Sequence, residues 1–148
     1  MAKYAEREMK VVLDTNCFIS CIGKLSPYRN VFDSFLSGAY VLCLSTEILL
    51  EYEEIFQIKW GTDVTENLMT RLIRATNIDF VTVFFNFDMV RADKDDNKFA
   101  DVFIASNADL IVSNDNKLLA LNNSAFPPFQ VLRLQEFSSL IKERALRS

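Results

Sequence analysis

The sequence predicts an α/β fold in which helices cover both faces of a mainly parallel β-sheet. Short apolar runs alternate with helical patterns along the chain, and several runs are apolar at consecutive positions, as in strands buried on both faces. Half of the 148 residues are hydrophobic, enough to form one sizeable core. We therefore expect a single domain over residues 1–148, with the polar residues 1–8 as a flexible N-terminus.

The first half of the chain carries two predicted strands, each followed by two helices. Proline is tolerated at the first helical position, so Pro27 opens the second helix, which ends at Gly38. Ser45 or Thr46 caps the third helix, and Thr65 caps the fourth. The predicted order is strand 9–13, helix 17–22, helix 26–38, strand 40–44, helix 47–59 and helix 66–76.

The second half continues the alternation with three further strands. An acidic loop precedes its first helix, and a turn before Pro127 and Pro128 precedes its last strand. The predicted order is strand 81–85, helix 97–107, strand 110–112, helix 117–121, strand 129–134 and helix 135–146.

Composition removes several classes of function. The chain has no histidine, which excludes Ser-His-Asp and Cys-His catalysis, and its three cysteines are too few for a four-thiolate zinc site. The odd cysteine count and the absence of a secretory or membrane-spanning segment favour a cytoplasmic protein with buried thiols. The net charge of −4 gives no overall attraction for a nucleic acid.

Two acids stand directly after predicted strands, Asp14 after the first and Asp115 after strand 110–112. An isolated aspartate in such a place is often a turn former. However, ligand sites of parallel sheets form beyond the carboxyl ends of the strands, where these two acids would meet.

Helical projection indicates which acidic side chains on the helices face the protein core. Asp96 falls in line with the apolar face of the helix that follows it, whereas Asp101 points well away from that face. In helix 47–59, Glu51 and Glu53 lie on opposite margins of the apolar stripe, so periodicity leaves both open. Capping explains one aspartate near residue 96 but not the cluster of three at 93, 95 and 96.

Converging carboxylates repel one another unless cations neutralise them. Hard oxygen ligands select Mg²⁺ or Mn²⁺, which also bind phosphate oxygens and activate water. The acids therefore predict a divalent-metal site that hydrolyses phosphodiesters.

Four segments in this order resemble the signature blocks of PIN-domain proteins, with the greatest similarity to the bacterial toxin–antitoxin branch. They are Asp14-Thr15-Asn16, the run 45–52, the run 95–101 and the run 111–119, and the resemblance extends from residue 9 to residue 140. Two departures stand out, because Ser113-Asn114-Asp115 replaces a common Thr-Gly-Asp and Lys94 replaces a proline among the acids. Lys94 could contact a phosphate or pair with Asp93 in solvent, and we favour the pairing.

The resemblance implies a Rossmann-like three-layer α/β/α sandwich and a metal-dependent ribonuclease. It implies Asp14, Glu51, Asp96 and Asp115 as catalytic and metal-binding residues, and so chooses Glu51 over Glu53. Supporting positions are Asn16, Ser113 and Asp101. It also implies Mg²⁺ or Mn²⁺ as cofactor, an RNA substrate and an antitoxin partner.

Substrate contacts and alternatives follow from individual residues. Cations such as Arg29, Arg71 and Lys117 could line the groove, and Phe18, Tyr28 or Trp60 could stack on bases. Self-association through helix 66–76 is a further prediction. A haloacid-dehalogenase-like phosphatase is disfavoured, because it needs an aspartate where the chain has Asn16. The main alternative is a catalytically silent PIN-fold module that binds RNA or protein.

Overall fold

The computed structural model describes residues 8–91 and 93–147, and its strands form one five-stranded, all-parallel sheet. The predicted α/β class is therefore confirmed. In chain order the elements are β1 (Lys10–Leu13), α1 (Thr15–Ile22), α2 (Arg29–Leu36), β2 (Val41–Leu44), α3 (Thr46–Arg74), β3 (Ile78–Phe80), a 3₁₀ turn (Lys94–Asp96), α4 (Asn97–Ser106), β4 (Leu110–Val112), α5 (Asn116–Leu119), a second 3₁₀ turn (Ala120–Asn123), β5 (Val131–Leu132) and α6 (Leu134–Arg147).

The strand order β3-β2-β1-β4-β5 puts the first strand in the middle of the sheet. In its register Leu13 lies beside Val112, and Leu44 lies beside Phe80. The carboxyl ends of β1 to β4 therefore share one edge, and the residues that follow each strand meet there.

Helices lie on both faces of the sheet because the chain reverses direction once. The connections from β1 to β3 run one way across the sheet, and those from β3 to β5 run the other way. Right-handed crossovers then place α1 to α3 on one face and α4 and α5 on the opposite face. Accordingly, α4 packs on β1, β2 and β4, whereas α1 packs with α2 and α3. The result is the expected three-layer arrangement, with the apolar strands buried between the two helical layers.

The third strand differs from the prediction. Pairing was expected over residues 81–85, but β3 spans Ile78–Phe80, and only the amide of Val81 extends it by donating to the Leu44 carbonyl (2.8 Å). The reason is the length of the partner strand. Because β2 ends at Leu44 and α3 begins two residues later, no further carbonyls are available to residues 82–85.

The two helices predicted over residues 47–59 and 66–76 are one long element, α3, with a kink. Gly61 has φ 79° and ψ −176°, a conformation that side-chain-bearing residues rarely adopt. The prediction of Thr65 as a helix cap was wrong. Thr65 lies inside α3, where its hydroxyl donates to the Gly61 carbonyl four residues earlier (2.7 Å).

Smaller differences concern the ends of elements. The second helix begins at Arg29 rather than at Ser26-Pro27, and β5 is confined to two residues. The prediction of a flexible N-terminus concerns residues 1–8, of which only Glu8 lies inside the described part of the chain. Within residues 8–91 and 93–147, no helix is long and apolar enough to cross a membrane.

Candidate active site

The four acids singled out by the sequence line one cleft of about 510 Å³ at the carboxyl edge of the sheet. Asp14 follows β1, Glu51 lies in the second turn of α3, Asp96 precedes α4, and Asp115 precedes α5. Residues up to a hundred positions apart therefore share one opening, because parallel strands end at the same edge.

Asp14 and Asp115 are joined through Ser113. The Ser113 hydroxyl donates to Oδ2 of Asp14 (2.6 Å) and accepts from the backbone amide of Asp115 (2.9 Å). Both acids also cap helices, because Asp14 Oδ1 accepts from the Asn16 amide (3.0 Å) and Asp115 Oδ1 from the Lys117 amide (2.8 Å). Capping and a place in the cleft are thus compatible roles for the same side chain.

The pKa of Asp14 is raised by its burial and by the neighbouring acids. Burial raises the pKa of Asp14, and the negative charges of Asp115 and Glu51 raise it further. The hydrogen bonds from Ser113 and the Asn16 amide oppose this rise. The two hydrogen bonds fix the orientation of the Asp14 carboxyl group in the cleft.

Asp96 has a strongly raised pKa and an oxygen without a hydrogen-bond partner. Burial raises its pKa to about 6, and the charges of Asp115, Asp93 and Asp14 contribute to the rise. Its Oδ2 atom is buried and accepts no hydrogen bond from the described residues. Such an oxygen is costly unless a cation or a donor meets it.

Glu51 is distinguished from Glu53 by its contacts. The ammonium of Lys98, itself buried, lies 2.7 Å from Glu51 Oε2, and the Thr15 hydroxyl donates to Oε1. Glu53 is exposed on the other side of α3. The structure therefore places Glu51 in the cleft, where helical projection left the choice open.

The three supporting residues have different surroundings. Ser113 is fully buried between two of the acids, and the Asn16 side chain lines the cleft. Asp101 does not reach the cleft. Its projection predicted an outward position, but it is only 3 % exposed, and the Phe87 amide from the preceding loop donates to its Oδ1 (3.0 Å).

Sequence reasoning overlooked Thr15 and Lys98, both of which contact Glu51. Each is adjacent to, or two residues from, a predicted acid, and that proximity was the available signal. Asp93 pairs with Lys117 (3.2 Å) rather than with the expected Lys94. Of the predicted stacking residues, Phe18 is buried in the core against other aromatic rings.

The donor set fits a hard divalent cation in its chemistry. Carboxylate oxygens of Asp14, Glu51, Asp96 and Asp115 face one cleft, and the buried Asp96 Oδ2 lacks a partner among the described residues. Within residues 8–91 and 93–147, no three side chains of Asp, Glu, His or Cys are arranged closely enough to coordinate one metal ion. Lys98 instead supplies the positive charge beside Glu51.

The sequence profile of the PIN domain family matches residues 10–117, nearly three quarters of the chain and all four acids. The chain belongs to the PIN-domain family. No curated protein sequence matches it closely enough to count as a relative.

Solved PIN-domain structures share the fold of this PIN protein at low sequence identity. VapBC2 from Rickettsia felis, solved on a DNA fragment from its promoter, is 18 % identical, with a TM-score of 0.55 over 84 % of this chain and 98 % of that chain. DNA-bound VapBC from Salmonella typhimurium is 16 % identical, with a TM-score of 0.58 over 85 % and 98 %. The PIN domain endonuclease Utp24 is 15 % identical, with a TM-score of 0.50 over 84 % of each chain.

Proposed function

We propose that this PIN protein is a metal-dependent ribonuclease that hydrolyses RNA phosphodiester bonds in the cytoplasm. The observation that carries the proposal is the convergence of Asp14, Glu51, Asp96 and Asp115 on one cleft, with an unpartnered oxygen on Asp96. Four carboxylates in mutual repulsion are costly for a fold to retain unless the site binds a cation.

Mg²⁺ or Mn²⁺ held by these four acids would supply an activated water and neutralise charge on the phosphate. The chain's own residues position the acids. Ser113 fixes Asp14 and the backbone of Asp115, while Lys98 and Thr15 orient Glu51. Hydrolysis forms one bond from a water oxygen to phosphorus and breaks the bond to the leaving sugar oxygen, which takes up a proton.

The test is cleavage of single-stranded RNA by the full chain with Mg²⁺ or Mn²⁺. Asp14→Asn and Asp96→Asn should each lower the rate at least about 100-fold, since loss of a ligand costs more than the 10–100-fold typical of outer residues. Glu53→Gln is the matched control, because the same change on the exposed side of α3 should leave the rate intact. Equal rates in the wild type and both aspartate variants would refute the proposal.

A catalytically silent binding module is the second candidate, and the ion pair between Lys98 and Glu51 favours it. In that case the protein binds RNA or protein but cleaves no RNA with either metal. Thermal unfolding separates the candidates without using activity. For the nuclease, Mg²⁺ or Mn²⁺ should raise the melting temperature of the wild type and not that of Asp96→Asn.

We further propose that the protein is the toxin of a toxin–antitoxin pair. The support is the fold shared with two VapBC proteins that were solved on DNA. A small protein encoded beside this chain should then co-purify with it and block RNA cleavage. Self-association through the second half of α3 stays a prediction, which light scattering after size-exclusion chromatography measures.

A further inference from the structure

Exposed phenylalanines are concentrated in the segment that follows β3. Phe84 is 83 % exposed, Phe85 is 73 % exposed, and Phe87 is 44 % exposed. Aromatic side chains of this size are normally buried, so three within four residues require an explanation. We call residues 84–87 the aromatic segment.

The backbone leading to this segment is fixed by the core. Val81 and Val83 pack against buried residues. The alternate residues Phe80, Thr82 and Phe84 are exposed. The segment leaves β3 at the carboxyl end of the strand, and the acid cleft lies at that same edge of the sheet.

Helix α4 holds the far side of the segment. The Phe87 amide donates to Asp101 (3.0 Å), and the Asn97 side chain accepts from the Val90 amide (2.7 Å). Asp101 lies five residues after Asp96, and helical rise puts it only about 7.5 Å further along the axis. The backbone of Phe87 is therefore anchored to α4, the helix that begins directly after Asp96.

Two cations and two acids lie between Phe87 and Asp95 in the sequence, and one of these acids, Asp93, already pairs with Lys117. Arg91 and Lys94 are both exposed, and they lie after Phe87 and before Asp95 in the sequence. Phe85 and Phe87 have ring centroids 6.5 Å apart and an interplanar angle of 57°, so they do not stack on each other. Accessible aromatic faces and exposed cations are the features with which proteins bind single-stranded nucleic acid.

We propose that the aromatic segment stacks against bases of single-stranded RNA, with Arg91 and Lys94 contacting its phosphates. This inference rests on the proposed ribonuclease function and specifies its substrate surface. The exposed cations Arg91 and Lys94 favour a nucleic acid over a protein partner, because they can contact its phosphates while the rings stack on its bases.

The experiment measures binding separately from cleavage. All proteins carry Asp96→Asn, and fluorescence anisotropy follows a labelled single-stranded RNA of about 12 nucleotides, within the usual range of binding sites. The test variant is Phe84→Ala with Phe85→Ala. Stacking is worth between about fivefold and about 150-fold in affinity per base, so we expect a loss of at least about tenfold. Phe84→Tyr with Phe85→Tyr should restore the affinity.

The matched control is Phe126→Ala. Phe126 is 89 % exposed but precedes Pro127, which borders the opposite edge of the sheet with Asp109. An equal affinity change in the test and control variants would overturn the proposal. Unchanged RNA affinity of the test variant would also overturn it. If the test variant instead has a different oligomeric mass, the aromatic segment is a protein-binding surface and the proposal fails.

Cleavage by proteins without the Asp96 substitution distinguishes the two proposals. If the wild type cleaves no RNA but the test variant loses RNA binding, the aromatic segment binds RNA and the ribonuclease proposal fails. If the wild type cleaves RNA and Phe84→Ala with Phe85→Ala binds and cleaves it equally well, the ribonuclease stands and this inference fails. Circular dichroism checks that each variant is folded.

Discussion

Asp96→Asn should make the metal-free protein more stable while removing its activity. Asp96 is charged at neutral pH, partly buried, and close to the negative charges of Asp115, Asp93 and Asp14. The amide keeps the shape of the side chain and removes the charge. It can also donate to Asp115, which lies close enough to raise the pKa of Asp96.

The size and sign of the effect follow from the pKa. Each pKa unit corresponds to about 1.4 kcal/mol. The rise from an ordinary 3.8 to about 6 would therefore cost the wild type about 3 kcal/mol at neutral pH. The cleft is open to solvent, and screening reduces the expected gain in the variant to about 1 kcal/mol.

The gain depends on pH in a defined direction. The folded state holds the Asp96 proton more tightly than the unfolded state does, so the charge destabilises the wild type fully only above about pH 6. As the pH falls from about 6 towards 4, the wild type becomes protonated and the advantage of the variant disappears.

Urea unfolding in a chelator at several pH values measures this difference, with Glu53→Gln as the exposed control. At neutral pH a gain of about 1 kcal/mol corresponds to a melting temperature higher by about 2–4 °C. Mg²⁺ or Mn²⁺ should then stabilise the wild type and abolish the difference. An Asp96→Asn protein that is less stable than the wild type in chelator, at neutral pH, would refute the electrostatic reasoning.

Three further substitutions probe other parts of the structure. Ser113→Ala removes the hydroxyl that donates to Asp14, so we expect a loss of about 1–3 kcal/mol in unfolding free energy and a 10–100-fold slower cleavage. Asp101→Ala removes the acceptor of the Phe87 amide, whose hydrogen exchange should accelerate at least about tenfold. Gly61→Ala should cost about 1–3 kcal/mol in urea unfolding, because the added Cβ meets open space but the backbone has φ 79°.

Each of these has an internal control. Ser113→Thr keeps the hydroxyl and should retain more activity than Ser113→Ala. In the Asp101 variant the Val90 amide, held by Asn97, should exchange as in the wild type. Gly23 also has open space around its Cα but lacks a positive φ, so Gly23→Ala should cost less than Gly61→Ala.

The sequence predicted the elements whose pattern is local. Consecutive apolar residues identified β1, β2 and β4, because this signal depends on neighbours along the chain. The predicted cap at Thr65 was wrong, because α3 continues through that residue. Strand pairing is not local. Residues 81–85 have the composition of a strand, yet β3 ends at Phe80 because its partner β2 ends at Leu44. The length of a strand therefore depends on its partner, which its own sequence does not specify.

The same division holds for the candidate site. The placement of Asp14 and Asp115 after strands, and of Asp96 before a helix, was sufficient to predict that they meet. Proximity to Asp14 and Asp96 marked Thr15 and Lys98 as candidates, but not their contacts with Glu51, because each contact joins elements that only the packed sheet brings together. Asp101 illustrates the limit of helical projection, since a loop amide donates to it on a face that projection assigns to solvent.

The sequence by itself determined the fold class and the candidate positions of Asp14, Asp96 and Asp115, because these depend on residue type and spacing. The family resemblance added the choice of Glu51 over Glu53. Only the tertiary structure decided which groups hold those acids and which aromatic rings reach solvent. Whether a side chain is buried or paired depends on which elements pack against it in the folded chain. For that reason Phe18 became a core residue, while Phe84 and Phe85 lie exposed at the edge of the sheet that carries the acids.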